Sequence, residues 1–368
     1  MNILYVGPYR QKDGWGEASR NFILSLQKTK HEIAIRPIFL SGAPTVGDMP
    51  QPFSSLELRN LDGYDAVIQH TLPSYFEYDG RFGKNIGMFF YETGNYKHTG
   101  WVEKCNLLDE IWVSSDVEMK NAKQSGVETT IKKVHIPVDV TKFQRSYDKN
   151  ILPTQGFTFY FIGEYIQRKN LNALIFAFNR EFGTSEPVNL VIKTSRGGMR
   201  PEQLRQTIEA DIKHLKSIFR TYPKDTDYKK EIIITDYLQE EDLMRLHSAC
   251  SCFIMPSHGE AWCLPAMDAL GMGKTPIITN NTGMCEFIND DNGWTVKSHS
   301  APVFSPDPFA FPYTARETWE NIDYLALQQA MREVFSNEVL RKAKAAVGIE
   351  SVYNFSYEKI ANQINEST

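Results

Sequence analysis

The chain of 368 residues lacks long apolar runs. No segment approaches the ~18 continuous apolar residues that a helix needs to cross a bilayer. Residues 2–6 have the pattern of a short strand, without the basic region and long apolar core of a signal peptide. We therefore expect a cytoplasmic protein with no transmembrane segment, which at most contacts the inner face of the membrane from that side.

Cysteine is scarce and odd in number: the chain contains only Cys105, Cys250, Cys252, Cys263 and Cys285. An odd number argues against a disulfide framework. The single residue between Cys250 and Cys252 does not give the spacing of a zinc knuckle. We interpret all five as buried thiols and expect neither a metal ion nor another cofactor.

A large net charge is also missing, because 40 Lys and Arg residues face 45 Asp and Glu residues, for a net charge of −5. This balance provides no electrostatic attraction to nucleic acid or anionic lipid. Hydrophobic residues make up 42% of the chain and charged residues 23%, as in ordinary globular proteins. The length is about twice that of a usual domain, which favours two cores and places the function in a local site.

What the sequence does contain is a regular alternation of short apolar runs with helical patterns. This alternation is typical of parallel sheets built from strand–helix–strand units. In the first half we predict strands at 3–6, 33–38, 66–68, 86–91, 111–114 and 134–137. In the second half we predict strands at 158–162, 190–193, 232–235, 252–255 and 276–279. We predict helices at 171–182, 200–220 and 357–364, a loop at 298–313, and a polar linker at 141–155.

The most informative stretch is 256–270, where a strand exit leads through an acidic turn into a helix. Gly259 permits the turn, and Pro265 fits the first position of the helix. Glu260 is then in the turn and Asp268 in the helix, beside N–H groups that carry partial positive charge. This arrangement suits a phosphate flanked by hydroxyl groups, as in a nucleotide sugar.

The same stretch resembles the retaining glycosyltransferases of family four, whose signature is two glutamates separated by seven residues. Glu260 is the first of the two, and Asp268, one methylene shorter, stands at the second. The resemblance extends over nearly the whole chain. It implies the GT-B fold, an α/β architecture of two Rossmann-like, doubly wound parallel-sheet domains that face each other across a cleft.

The resemblance also implies the role of each domain. Residues 1–145 would form the acceptor-side domain, completed by a C-terminal helix at 352–368 that crosses back to it. Residues 150–350 would form the domain that binds the nucleotide sugar, with Asp268 holding the ribose.

Two adjacent cations, Arg168 and Lys169, follow the first predicted strand of the second domain and precede a helix. Cations near a helix N-terminus suit a diphosphate, although in isolation they could equally be a solvated basic turn. Similar enzymes have a lysine at the position of Lys169 and often an arginine where this chain has Glu164. We expect Arg168 to supply that charge.

The first domain offers three candidates. Gly14 and Gly16 precede the first helix and would let the backbone approach the donor or acceptor closely, although a plain glycine turn is the alternative. Glu92 follows the predicted strand 86–91. It could orient the acceptor hydroxyl or stabilise positive charge at the anomeric carbon, and a structural hydrogen bond to a loop is equally compatible.

The implied activity is transfer of a sugar from a nucleoside diphosphate sugar to an acceptor hydroxyl, metal-independent and with retention of configuration. Glu260 would accept hydrogen bonds from sugar hydroxyls, while Arg168, Lys169 and nearby backbone N–H groups neutralise the diphosphate. His258 would contact the donor or only shape the turn. The remaining donor-binding candidates are Ala261, Trp262, Cys263 and Leu264 in the acidic turn, and Lys193, Tyr237 and Leu238 at other strand exits.

Several alternatives stay open at this point. The base could be uridine or guanosine, and the acceptor a saccharide, a lipid-linked glycan or another hydroxyl compound in glycan or glycoconjugate synthesis. A GT-B sugar-nucleotide epimerase or phosphorylase, or a non-catalytic nucleotide-sugar binding protein, would have similar motifs. The sequence does not decide the oligomeric state.

Overall fold

The computed structural model describes residues 1–40, 44–153, 155–305 and 313–367. These residues divide into two compact units. The first unit comprises 1–140, 313–318 and 353–367, and the second comprises 141–305 and 319–352. Each unit is built around one parallel six-stranded sheet, which confirms the predicted α/β class.

The sheet of the first unit has the strand order β2-β1-β3-β4-β5-β6. Its strands are β1 (Asn2–Gly7), β2 (Glu32–Pro37), β3 (Ala66–His70), β4 (Lys84–Met88), β5 (Glu110–Val113) and β6 (Thr130–Lys133). Its helices are α1 (Gly14–Leu26), α2 (Phe53–Leu58), α3 (Trp101–Cys105), α4 (Asp116–Ser125) and the C-terminal α11 (Tyr357–Ser367).

The C-terminal helix packs against α1 in the first unit. The Tyr357 hydroxyl donates to Asn21 Oδ1 at 2.9 Å, and the Ser25 hydroxyl donates to the Tyr357 carbonyl at 2.8 Å. The apolar side chains Ile360, Ala361 and Ile364 are buried on one side of the helix, with the spacing of an amphipathic helix. The last helix of the chain therefore belongs to the same unit as the first strand.

The sheet of the second unit has the order β12-β11-β10-β7-β8-β9. Its strands are β7 (Phe157–Glu164), β8 (Val188–Ser195), β9 (Ile232–Ile234), β10 (Cys252–Met255), β11 (Ile277–Thr279) and β12 (Trp294–Val296). Its helices are α5 (Leu171–Glu181), α6 (Pro201–Phe219), α7 (Glu240–Ala249), α8 (Leu264–Gly271), α9 (Tyr324–Ser336) and α10 (Glu338–Ser351). A separate two-stranded sheet pairs β13 (Ser298–Pro302) with β14 (Thr318–Ile322).

The strand order of the second unit determines where its ligand site lies. The chain starts in the middle of the sheet at β7, builds outward through β8 and β9, and returns to pair β10 against the other side of β7. At such a switch point the loops that follow the two central strands diverge and leave a crevice. The turns after β7 and β10 are the two that the sequence selects.

Several predicted elements are wrong in position or type. The strand predicted at 134–137 is β6 at Thr130–Lys133, a polar edge strand whose Lys132 forms an ion pair with the buried Glu110 at 3.2 Å. The strand predicted to reach residue 91 ends at Met88, and β12 was not predicted. An edge strand has a less buried face, so its hydrophobic pattern is weak.

The segment 298–313 is not entirely a loop. Its first five residues form β13, although they carry no buried hydrophobic face that the sequence could reveal. Residues 306–312 of this predicted loop lie outside the described residues. One predicted buried thiol also differs, because Cys285 is half-buried, whereas the other four cysteines are buried.

Among the described residues, no helix combines the length and the apolar character that a membrane crossing requires.

Candidate active site

The turns that follow β7 and β10 are joined by backbone hydrogen bonds. The His258 N–H donates to the Arg168 carbonyl at 2.7 Å, and Asn170 Nδ2 donates to the Pro256 carbonyl at 3.1 Å. Asn170 adopts a left-handed conformation with φ 51° between the turn at Gln167–Lys169 and α5. Asn170, whose role the sequence did not reveal, therefore holds the basic turn against the acidic one.

Arg168, Lys169 and Glu260 meet in this crevice. Lys169 Nζ lies 2.6 Å from Glu260 Oε1, and Arg168 Nη1 lies 3.4 Å from the same oxygen. Arg168 Nη1 also donates to the Gly259 carbonyl at 2.6 Å. The structure thus brings together the three residues that the sequence selected from stretches about 90 positions apart.

Charge keeps the Glu260 side chain ionised even though it is 5% exposed. Burial raises the pKa of the Glu260 carboxyl, but the Lys169 and Arg168 cations outweigh burial and hold that pKa below its usual value. A buried carboxylate between two cations can accept hydrogen bonds at neutral pH. It would lose this role only if the cations were removed.

Helix α8 begins directly after the acidic turn, so its N-terminus lies beside that turn. Cys263, at the N-cap, has φ 79°, and Pro265 stands in the first turn. Among the described residues, the Cys263 side chain makes no capping hydrogen bond to the first N–H groups of the helix. A helix N-terminus that its own N-cap leaves uncapped is suited to an anion, and the left-handed Cys263 is a strained conformation of the kind found at functional sites.

Gly283 is a further part of the site that the sequence did not single out as functional. Its N–H donates to the Glu260 carbonyl at 2.7 Å. A Cβ atom at this position would lie 1.9 Å from the Ala261 carbonyl oxygen, so only glycine fits without a shift of the backbone. The loop after β11 therefore packs against the acidic turn and is hydrogen-bonded to it. In the sequence, the pair Thr282-Gly283 after a short strand was the signal that could have revealed this loop.

Asp268 forms an ion pair that the sequence did not predict. Lys142 Nζ lies 2.8 Å from Asp268 Oδ1 and 3.5 Å from Glu240 Oε1. The lysine belongs to the predicted linker, whose first residues instead form a short 3-10 turn at Val140–Gln144. A ribose bound by Asp268 would share the carboxylate with Lys142, and the contact to ribose stays a prediction.

His258 is held firmly in the acidic turn. Its ring stacks on Trp319 with centroids 4.3 Å apart, and its Nδ1 lies 2.9 Å from the Glu320 carbonyl oxygen, to which an Nδ1–H would donate. Burial lowers the pKa of His258, so the imidazole is neutral at pH 7. These contacts support a role in shaping the turn, and contact with the donor stays a prediction.

The donor-binding candidates at the other strand exits differ in exposure. Lys193, in β8, is buried, which lowers the pKa of its ammonium group, and it donates to the Thr194 carbonyl at 3.4 Å. Tyr237, after β9, is 62% exposed, and the neighbouring Leu238 is half-buried. The structure therefore leaves Tyr237 accessible to a ligand.

Gly14, Gly16 and Glu92 belong to the first unit. The Gly16 N–H donates to the Asp13 carboxylate at 2.9 Å, and a Cβ at Gly16 would lie 2.0 Å from the Gln11 carbonyl oxygen. Close packing therefore explains Gly16, whereas Gly14 faces open space. Glu92 Oε2 accepts a hydrogen bond from the Tyr313 hydroxyl at 3.3 Å.

Residues 143–305 match the family model for Glycosyl transferases group 1. The matched range contains Arg168, Lys169, Glu260 and Asp268 and begins one residue after Lys142. Over this range the chain is similar to the group 1 glycosyl transferases. The family thus agrees with the resemblance found in the acidic turn.

Curated relatives include the serotype-specific mannosyltransferase WbdA of Escherichia coli, which is 24% identical over 188 residues. The match covers 46% of this chain and 21% of the relative. A second WbdA match is 32% identical over 66 residues, or 18% of this chain and 8% of the relative. The chain spans about a fifth of the length of the first relatives that it matches.

Solved structures share the fold over the whole chain. Sucrose-phosphate synthase from Thermosynechococcus elongatus aligns with a TM-score of 0.68 and 14% identity, covering 100% of this chain and 98% of that one. HepE from Anabaena, in complex with UDP and glucose, aligns with a TM-score of 0.64 and 13% identity, covering 100% and 99%. The predicted GT-B fold is confirmed by this similarity.

The described ranges contain no group of three or more His, Cys, Asp or Glu side chains arranged to hold a metal ion. Metal-independent chemistry stays a prediction.

Proposed function

We propose that the protein transfers a glycosyl group from a nucleoside diphosphate sugar to an acceptor hydroxyl, with retention of anomeric configuration and without a metal ion. The observation that carries this proposal is the 2.6 Å contact between Lys169 Nζ and Glu260 Oε1 at the switch point of the second unit. It places a cation suited to a diphosphate beside a carboxylate suited to sugar hydroxyls.

The diphosphate would bind to Arg168, Lys169 and the N-terminus of α8. A guanidinium carries five N–H donors and an ammonium three. Arg168 can therefore hold the Gly259 carbonyl, and Lys169 the Glu260 carboxylate, while each also donates to a phosphate oxygen. These hydrogen-bonding groups are already oriented before the nucleotide sugar binds. They would therefore stabilise the charge that develops on the leaving diphosphate without reorganisation.

Glu260 would act on the sugar. Both cations approach its Oε1 atom, so Oε2 is the oxygen that would accept from a donor-sugar hydroxyl. Its negative charge would also stabilise the positive charge that develops on the ring at the transition state. The bond from the anomeric carbon to the diphosphate breaks, a bond to the acceptor oxygen forms on the same face, and the departing phosphate takes the acceptor proton.

The choice of donor follows from the relatives. WbdA is named a mannosyltransferase, which makes a mannosyl donor the first to test. HepE is described with UDP and glucose, which makes a UDP-glucose donor the second. We further propose that the acceptor is a saccharide or a lipid-linked glycan. The proposed place of action is the cytoplasm, as predicted from the sequence.

The experiment is a donor screen with the full chain, in which release of the nucleoside diphosphate and formation of glycosylated product are followed for GDP- and UDP-sugars. We expect one donor to be turned over, and turnover to continue in the presence of EDTA. Product analysis of the anomeric linkage tests retention. Turnover of no donor, together with no thermal stabilisation by UDP or GDP, would contradict the proposal.

A further inference from the structure

A second charged feature lies in the second unit, away from the acidic turn. It is an open cleft of about 310 Å³. The described residues that line it include four cations and no acidic side chain. The cations are Lys149, Lys274, Arg341 and Lys342, and we call this feature the basic cleft.

The basic cleft lies at the amino ends of the strands, whereas the candidate active site lies at their carboxyl ends. Its lining residues Cys250 and Ser251 directly precede β10, and Lys274 precedes β11, so they are at the amino ends of the strands whose carboxyl ends lead into the active-site loops. Helix α8 begins at the active site with Leu264 and ends at Gly271, beside the cleft. Eight residues of helix span about 12 Å, so the two sites are separate.

The charge in the basic cleft is only partly balanced. Lys342 pairs with Glu338 at 2.7 Å, and Arg341 donates to the Val334 carbonyl at 2.5 Å. For Lys149 and Lys274, the described residues provide no carboxylate within ion-pair distance. Asp148, next to Lys149 in the chain, instead holds Arg245 at 2.9 Å.

Lys274 is the most constrained of the four. It is half-buried, and its ammonium donates to the Ser248 carbonyl, near the end of α7, at 3.1 Å. Burial and the neighbouring Lys149 lower the pKa of Lys274 to about 8. Lys149 is therefore close enough to Lys274 to disfavour the charge of Lys274, and a bound anion would stabilise this arrangement.

We infer that the basic cleft is a second ligand site, which binds a phosphorylated small molecule through Lys149, Lys274 and Arg341. Charge-assisted hydrogen bonds from ammonium and guanidinium groups are the strongest that proteins offer to phosphate. The volume accommodates a phosphate together with the small organic group that carries it. This site does not depend on the donor site, and both could be occupied at once.

The test is a calorimetric titration of the full chain with inorganic pyrophosphate. Three variants are compared with the wild type: Lys149→Ala/Lys274→Ala in the cleft, Lys169→Ala in the active site, and Lys213→Ala/Lys230→Ala as a control. The control removes two exposed lysines of the same unit, so its change in net charge is matched. Thermal unfolding of each variant verifies the fold, and Lys149→Ala alone, at an exposed position, replaces the double variant if that does not fold.

We expect two pyrophosphate sites in the wild type. Lys169→Ala should retain the cleft site, and the cleft variant should bind pyrophosphate there about tenfold more weakly or not at all. Unchanged cleft binding in Lys149→Ala/Lys274→Ala, or no residual site in Lys169→Ala, would overturn the inference. Because the cleft variant leaves the donor site intact, failure of this inference can be distinguished from failure of the proposed transfer.

Two further measurements identify the ligand and its charge dependence. Sedimentation with phosphatidylglycerol vesicles that is lost in the cleft variant would assign the phosphate to a lipid headgroup, whereas pyrophosphate binding without sedimentation would assign it to a soluble molecule. Affinity should fall from pH 7 to pH 9, as Lys274 loses its proton. The other charged or titratable groups that line the cleft are Lys149, Arg341, Lys342 and Cys250, and burial raises the pKa of the Cys250 thiol to about 12.

Discussion

The two units share one architecture and differ in the chemistry at the carboxyl ends of their strands. In the first unit this edge is rich in aromatic side chains. His70, the last residue of β3, contacts the rings of Trp15 and Phe90, with ring centroids 5.5 and 5.0 Å away. In the second unit the corresponding edge carries Arg168, Lys169 and Glu260 in direct contact.

Below this edge, the interiors of the two units are alike in one respect. The Tyr5 hydroxyl in β1 lies 2.5 Å from His70 Nδ1, and the Tyr160 hydroxyl in β7 lies 2.6 Å from His247 Nδ1. Each pair joins the first strand of its unit to a buried histidine. Both units therefore have a parallel six-stranded sheet and a buried tyrosine–histidine pair, whereas the charges at the strand ends differ. Function lies in groups placed on a fold, and among the described residues it is the second unit that concentrates charge suited to a diphosphate.

The largest effect should come from removing the charge that distinguishes the second unit. Lys169→Ala deprives Glu260 of its closest cation and, in the proposed mechanism, the leaving diphosphate of one of its two cations. We expect kcat to fall about 100-fold to 1,000-fold, as for other preoriented donors. Steady-state kinetics with the best donor measures this, and Lys213→Ala is the control. A loss of less than about threefold would contradict the role of Lys169, since even an ordinary hydrogen bond contributes that much.

The feature that the units share predicts a common response to acid. Burial lowers the pKa of His70 and of His247 to about 3, below the usual value near 6.5. A lowered pKa in the folded state gives stability that is present above pH 6.5 and lost as the pH falls from 6.5 toward 3. At pH 5 each histidine should reduce the free energy of unfolding by about 2 kcal/mol.

Urea unfolding at pH 5 and pH 7, followed by hydrogen exchange in each unit, measures this effect. His70→Gln should flatten the pH dependence in the first unit only, and His247→Gln in the second only. The exposed His214→Gln provides the control. An equal pH slope in the wild type and in both buried variants would show that other groups cause the acid sensitivity.

A smaller effect should follow from disturbing the support of the acidic turn. In Gly283→Ala the new Cβ would collide with the Ala261 carbonyl oxygen, 1.9 Å away, so the turn must shift. We expect about tenfold weaker binding of the nucleoside diphosphate, since overpacking costs about 1–3 kcal/mol. Gly183→Ala in the same unit is the control, because its Cβ would lie 3.6 Å from the nearest atom. Equal affinity of the two variants for the nucleoside diphosphate would show that Gly283 does not support the site.

The smallest effect tests the aromatic edge of the first unit, where Glu92 lies. Glu92→Gln keeps the shape of the side chain that accepts from Tyr313 but removes its charge. If Glu92 orients the acceptor, KM for the acceptor should rise about threefold to tenfold, the value of one hydrogen bond, while donor binding stays unchanged. A purely structural role would leave the acceptor KM unaltered, and Tyr313→Phe separates the two contributions.

Much of the second unit could be predicted because its signals are local. A buried strand, a glycine turn and a proline at a helix start fix the positions of Glu260 and α8 from adjacent residues. The same reasoning failed at β6 and β13, where edge position or a small sheet leaves no hydrophobic pattern to detect. It also did not find Gly283 or Lys142, because their partners are distant in the chain.

By itself, the sequence determined the alternation of strands and helices, the acidic turn and the two cations, since each depends on residue type and short-range spacing. The tertiary structure decided which of these groups meet. Strand order brought Lys169 to Glu260, paired Lys142 with Asp268, and gathered Lys149, Lys274 and Arg341 around one cleft. Such contacts depend on how parallel strands are ordered in a sheet, and no local pattern records that order.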